Sequence, residues 1–254
     1  MLYNASALAG YALHATDGEI GSVEDFYFDD KAWIIRYLVA DTGKWLPGRK
    51  VLLSPLSLGA VHLDGKKLDV KLTKDQVENS PDIDTHKPIS RQNEIRFYNY
   101  YSYPYYWSGP SAWGPIALPS QLPEIQPHMP KAEQREILSE SETEAEDYHL
   151  RSVSEIAGYY IKASDGEVGH VEDILVDDKS WAVRYIVVDT KNWWPGRKVL
   201  VSPEWIKEVS WNDSSVYIDL ARDAIETSPE YDSSAPIGEE YERRLCGHYG
   251  KLKS

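Results

Sequence analysis

Carboxylates are the residues best placed to do chemistry in this sequence, and they come in matched pairs. Glu19, Glu24, Asp25, Asp29, Asp30 and Asp41 recur 148 positions later as Glu167, Glu172, Asp173, Asp177, Asp178 and Asp189. Neighbouring carboxylates can share acid–base work, and Asp29–Asp30 could hold Ca²⁺. A calcium loop alternates its oxygen ligands around a glycine at the sharp bend, however, and that alternation is missing. Asp is also the natural turn residue. These acids are therefore expected to cap turns and to pair with Arg36, Arg49, Arg184 and Arg197. The seven histidines contain no i, i+4 pair, and none aligns with another histidine at the 148-residue offset. Neither CxxC nor HExxH spacing occurs, nor does a G-x-S-x-G elbow or a P-loop. No catalytic residue, metal site or cofactor is predicted.

A second candidate is a corner written twice: "TGKWLPGRKVLLSP" at 42–55 and "TKNWWPGRKVLVSP" at 190–203. An arginine beside an indole can offer its planar fork to a partner's carboxylates, so Trp45, Arg49, Trp193, Trp194 and Arg197 are candidate partner-binding residues. In the architectural alternative, Trp shields a barrel end while Arg pairs with Asp41 or Asp189. In both, Pro47–Gly48 and Pro195–Gly196 occupy the centre of a type II turn, because proline presets the first φ and glycine accepts a positive second one.

These corners need strands to hold them, and the strands also recur. "GYALHATDGEIGSVEDFYFDDKAWIIRYLVADT" (10–42) lies over "GYYIKASDGEVGHVEDILVDDKSWAVRYIVVDT" (158–190) without a gap, and roughly 28 of the 46 positions from Gly10 to Pro55 are identical. Two copies mean a duplicated domain rather than a solenoid. Asp17, Gly18 and Gly21, with Asp165, Gly166 and Gly169, read as turn residues between extended segments. "WIIRYLVAD" and "WAVRYIVVD" are apolar on both faces, which suits strands inside a barrel. Weaker strands fall near 58–63 and 67–72. A short helix follows, with Thr73 as its cap in the first copy; Ala221 stands at that place in the second, so its cap must differ. The fold class is mainly β: two small barrels, each with a short C-terminal helix, joined by an aromatic and acidic linker.

The predicted organisation is repeat 1 at 1–90, a linker at 91–150, repeat 2 at 151–238 and a tail at 239–254. Within the linker, "RFYNYYSYPYYWSGPSAWGP" (96–115) reads as an aromatic latch laid over a barrel, in preference to a segment that recruits a partner. Residues 131–150 read as a solvated acidic spacer. The tail is a shortened copy of the latch, with Cys246 over Tyr98 and His248 over Tyr100. A formal charge of −14 over 254 residues argues against direct nucleic-acid binding, which requires a basic stripe. No run approaches eighteen apolar residues and no secretory signal opens the chain, so no membrane insertion is expected. A single cysteine fits a reducing compartment, and a cytoplasmic location is expected.

The pattern "GY.L.ATDGEIGSVEDFYFDD..W.IRYLVADT..WLPGRKVLLSP", recurring in the second copy, resembles the PRC-barrel family over about two thirds of the chain. The resemblance implies a barrel fold of the kind found in the cytoplasmic domain of a membrane-anchored photosynthetic reaction-centre protein and in the C-terminal domain of an rRNA-maturation factor. It implies a role in docking onto other macromolecules. Three functions follow as expectations: a non-enzymatic protein-interaction or assembly module with an unidentified protein partner; a ribosome- or rRNA-maturation accessory docking on a ribosomal protein; and a reaction-centre-like accessory associated with a membrane complex through a partner. The two barrels are expected to pair within the chain.

Overall fold

Apolar runs of two kinds become two kinds of strand. In the computed structural model, which describes residues 1–81, 89–122, 149–190 and 197–250, the first repeat supplies β1 (Leu2–Asn4), β2 (Ala12–Ala15), β3 (Gly18–Asp29), β4 (Ile34–Asp41), β5 (Lys50–Leu53), β6 (Leu58–His62) and β7 (Lys67–Val70). The second supplies β8 (Leu150–Ser152), β9 (Tyr160–Ala163), β10 (Gly166–Asp177), β11 (Val183–Asp189), β12 (Lys198–Val201), β13 (Ile206–Ser210) and β14 (Ser215–Ile218). The doubly apolar run is central as expected: every residue of β4 from Ile34 to Ala40 is buried. The helices are α1 (Ala5–Leu8), α2 (Lys74–Glu78), α3 (Arg91–Tyr101), α4 (Val153–Ile156), α5 (Arg222–Glu226) and α6 (Glu239–Tyr249). Among the described residues, no helix is long and apolar enough to cross a membrane.

Two seven-stranded sheets result. One runs β5-β4-β3-β2-β7-β6 and the other β12-β11-β10-β9-β14-β13. The pairings β2–β7 and β9–β14 are parallel; the rest of each path is antiparallel. The seventh strand of each sheet comes from the other repeat. β8 pairs with the end of β3, placing Leu150 opposite Asp29 and Ser152 opposite Tyr27. β1 pairs with the end of β10 in the same register, Leu2 opposite Asp177 and Asn4 opposite Leu175. Accordingly, one compact unit contains Leu8–Ser152 with Lys179–Trp181, and the other contains Met1–Ala7, Val153–Asp178 and Ala182–Ser254. They are called below the first-repeat and second-repeat units. The family of turns and strands within a repeat is local; the leading strand is not.

Turn chemistry explains the connections. Pro47 and Gly48 form the type II turn: Arg49 N donates to Leu46 O at 3.0 Å, and Gly48 has φ +76°. Gly21 differs from a simple turn residue. It lies at a bulge in β3 where the backbone passes the end of β4, and a Cβ there would sit 2.0 Å from Asp41 O. Gly169 repeats this, at 2.1 Å from Asp189 O. Between β3 and β4, Asp29 Oδ1 accepts the N–H groups of Lys31 (3.0 Å) and Ala32 (2.9 Å), as an aspartate in a turn should.

The helix after each barrel is capped differently. Thr73 forms a capping box with Gln76 on α2. Ala221 gives α5 no side-chain cap. In both copies the aspartate of the first hairpin reaches the first helical N–H: Asp17 Oδ1 to Lys74 N at 2.8 Å, and Asp165 Oδ1 to Arg222 N at 2.7 Å. That shared bond serves α5 where threonine is missing.

The aromatic run of the first repeat is ordered as a latch on its own unit. It begins as a regular helix, α3. Phe97, Tyr98, Tyr101, Tyr103, Tyr105, Tyr106 and Trp113 are all buried. Their rings meet mostly edge to face, as at Tyr37–Phe97 with centroids 5.2 Å apart. The shortened copy, α6, buries Leu245 and Tyr249, and Tyr249 packs on Trp205 at 4.5 Å.

Candidate functional site

The duplicated corner is fastened to its own helix. Two hydrogen bonds of the Arg49 guanidinium go to the main-chain carbonyls of Glu78 and Ser80, the latter at 2.5 Å. These are carbonyls at the C-terminal end of α2, where a cation and extra donors are favourable. Arg197 donates in the same way to Ser228 O, beyond α5. Asp41 instead accepts from Gly43 N at 2.8 Å. Trp45 is half-buried, with Lys74 Nζ 4.9 Å from its ring centroid. Of the other predicted site residues, Trp193, Trp194, Pro195 and Gly196 lie outside the described residues, as does most of the acidic spacer. Glu24–Lys50 and Glu172–Lys198 form equivalent ion pairs, each at 2.5 Å.

A denser polar group lies in the first-repeat unit. Glu94, on α3, is fully buried. Its Oε1 accepts the hydroxyls of Tyr37 (3.0 Å) and Tyr106 (2.8 Å), and its Oε2 accepts Arg91 Nη1 at 2.8 Å. The Tyr106 oxygen also accepts from Arg91 Nη1 at 3.0 Å and lies 2.7 Å from His149 Nε2. Because the single Tyr106 proton goes to Glu94, the imidazole must donate through Nε2. Burial raises the Glu94 pKa above its ordinary value, opposed by the charges of Arg91 and His149 and by the two hydroxyls. Burial, and then the Glu94 charge, push Tyr37 and Tyr106 well above the usual phenol range, so both stay protonated donors.

Two arginines flank this group. Arg36 is buried, with its guanidinium carbon 3.8 Å from the centroid of Tyr106 and 5.1 Å from that of Trp113. It donates to Ala112 O at 2.5 Å and pairs with Asp29 at 3.4 Å. Arg91 lies over Trp107 at 4.2 Å. Between these residues opens a recess of about 360 Å³, lined also by Lys31, Ser111 and His149. The strand exchange helps build it. His149 immediately precedes β8, and its carbonyl accepts Asp30 N at 2.9 Å.

Protein-family profiles match the PRC-barrel domain twice, over residues 3–77 and 150–225. The chain belongs to the PRC-barrel family. No curated protein matches it. The second PRC-barrel match includes all of β8 and the first begins within β1, at Tyr3, so the exchange involves the domain itself and not an added extension.

The two PRC barrels differ in what covers them. The Tyr–Glu contact is duplicated: Tyr185 donates to Glu242 at 3.2 Å, just as Tyr37 donates to Glu94. Glu239 stands where Arg91 would be, however, and Glu242 is only partly buried. The recess therefore belongs to the first repeat. Sequence reading identified Arg36 and the latch but missed Arg91, Glu94, Tyr106 and His149 as a group. One signal was present in the Arg–Glu pair at i, i+3 opening the aromatic run. His149 carried none, because its partner Tyr106 is 43 positions away.

Proposed function

We propose that this PRC-barrel chain is a non-enzymatic protein-interaction and assembly module acting in the cytoplasm. One observation carries the reading: each barrel sheet takes a strand from outside its own repeat. The long strand β3 or β10 offers an open edge beyond β2 or β9, and an antiparallel segment fills it. Side-chain hydrogen bonds reinforce the pairing, from Ser152 to Asp25 and from Ser6 to Asp173. A domain completed by an incoming strand is suited to joining polypeptides, a general mode of recognition by strand addition.

On this reading Trp45, Trp193 and Trp194 are the corner residues that contact a partner, while Arg49 and Arg197 act by holding the corner in place. The test is a crosslinked capture from native lysate with the full chain and with a Trp45→Ala/Trp193→Ala/Trp194→Ala variant of verified fold. The captured protein is then rebound in purified form. Saturable rebinding that the variant loses is expected. Failure to recover any saturable protein partner across several growth conditions would overturn the proposal. The partner's identity, whether ribosomal or from a membrane complex, would decide which assembly is served.

A further inference from the structure

We propose that the recess on the first-repeat unit is a carboxylate-binding site. It deepens the interaction reading by naming what a partner presents, but it rests on that reading only for the source of the carboxylate.

A guanidinium carries five N–H donors in a flat fork. Arg91 uses Nη1 for Glu94 and Tyr106. Among the described residues, its Nε–Nη2 edge has no hydrogen-bond partner. The side chain remains 17% exposed and lines the recess. The Nε–Nη2 edge is the side-on face with which arginine grips a carboxylate through two parallel hydrogen bonds.

Its plane is also fixed. Trp107 lies 4.2 Å below the guanidinium and the Nη1 end is tied to a buried acid, so the fork is preorganised before a ligand arrives. A planar carboxylate can lie in the plane of the fork. A tetrahedral phosphate would carry oxygens out of that plane.

Charge favours an anion. Three cations, Lys31, Arg36 and Arg91, face Asp29 on the wall and Glu94 behind it. Asp30 and Arg151 close by pair with each other at 3.4 Å. In a chain of net charge −14, the recess gathers Lys31, Arg36 and Arg91 into one lining. Its volume of about 360 Å³ admits a side chain or a small acid.

The test is calorimetric titration of the full chain at low ionic strength with three probes: acetyl-Gly-Glu-Gly-amide, sodium glutarate and inorganic phosphate. One-site binding of the peptide, of glutarate or of both is expected, at least about tenfold tighter than phosphate, a fold-change of about 1.4 kcal/mol. Peptide binding without glutarate binding identifies a protein source; binding of glutarate alone or of both identifies a carboxylate site open to free acids. Arg91→Lys keeps the charge but removes the fork, and should weaken binding about tenfold or more. Lys31→Glu, at an exposed position outside the buried network, should weaken it without affecting folding. The proposal is overturned if neither carboxylate binds, if phosphate binds equally well, or if Lys31→Glu binds like wild type. Carboxylate binding in a protein that captures no partner would leave this site standing and remove the interaction reading.

Discussion

Ser152 Oγ lies 2.5 Å from Asp25 Oδ2, joining the leading strand of the second repeat to the sheet of the first across 127 positions of sequence. The reciprocal bond joins Ser6 Oγ to Asp173 Oδ2, also at 2.5 Å, with Ser6 N 3.2 Å from Asp173 Oδ1. Asp25 and Asp173 are one of the duplicated acid pairs. Their role in the fold is to secure exchanged strands, and both also accept the N–H of the following residue.

Removing one of these acids should loosen a strand without unfolding its sheet. Asp173→Ala deletes two bonds to Ser6, and charged hydrogen bonds of this kind contribute about 1.5–3 kcal/mol each. Native-state hydrogen exchange should show faster exchange at Tyr3 to Ser6, with little change at Ile161 or Val216. Unchanged exchange in the β1 segment would contradict this role for Asp173.

The exchange also predicts complementation. A fragment ending at residue 122 would lack β8, and one beginning at residue 149 would lack β1. Each alone should show reduced β content. Mixed in equal amounts, they should co-elute and recover the circular dichroism of the full chain. Two fragments that fold fully and elute separately would show that the leading strands are dispensable.

The bulge glycines should tolerate no side chain. Gly21→Ala places a Cβ 2.0 Å from a carbonyl oxygen at φ +127°, so both sterics and backbone oppose it. A loss of at least about 3 kcal/mol is expected in urea unfolding. Gly247 within α6 has open space around it. Gly247→Ala should stabilise its unit by about 0.5–1 kcal/mol.

Arg49→Ala should destabilise the first-repeat unit by about 1–3 kcal/mol, because two carbonyls at the C-terminal end of α2 lose their donor. Arg49→Lys should recover little of this, since an ammonium lacks the fork that spans both oxygens. Full rescue by lysine in thermal unfolding would point to charge alone.

Stability should also depend on pH through Glu94. Burial holds its pKa above the ordinary 4.5, so the folded state binds the proton more tightly than the unfolded state. Its stabilising contribution is complete below that ordinary value and is lost as pH rises through the raised one. The stability of wild type relative to Glu94→Gln should therefore fall as pH rises from about 4.5. The Glu94→Gln amide cannot ionise in this window, so the pH slope of the difference tests the assignment. Urea midpoints across this range give the comparison.

Much of the barrel was legible in the sequence because its signals are local. A 148-residue repeat, two-faced apolar runs and Pro–Gly or Asp–Gly turns each depend on a few neighbouring side chains. These place β4 and β11, the type II corner and α2 with its threonine cap. Tertiary structure decided which sheet Leu2–Asn4 and Leu150–Ser152 join, because a three-residue strand carries too little pattern to name its partner and any open edge of matching register will take it. It also decided the recess. Tyr37 and Glu94 are 57 positions apart, and Tyr106 and His149 are 43 apart, so neither spacing carries a periodic signal. Only the folding of the aromatic latch onto the barrel excludes water there. That exclusion makes a buried carboxylate require its hydroxyls, its arginine and its histidine at one point in space.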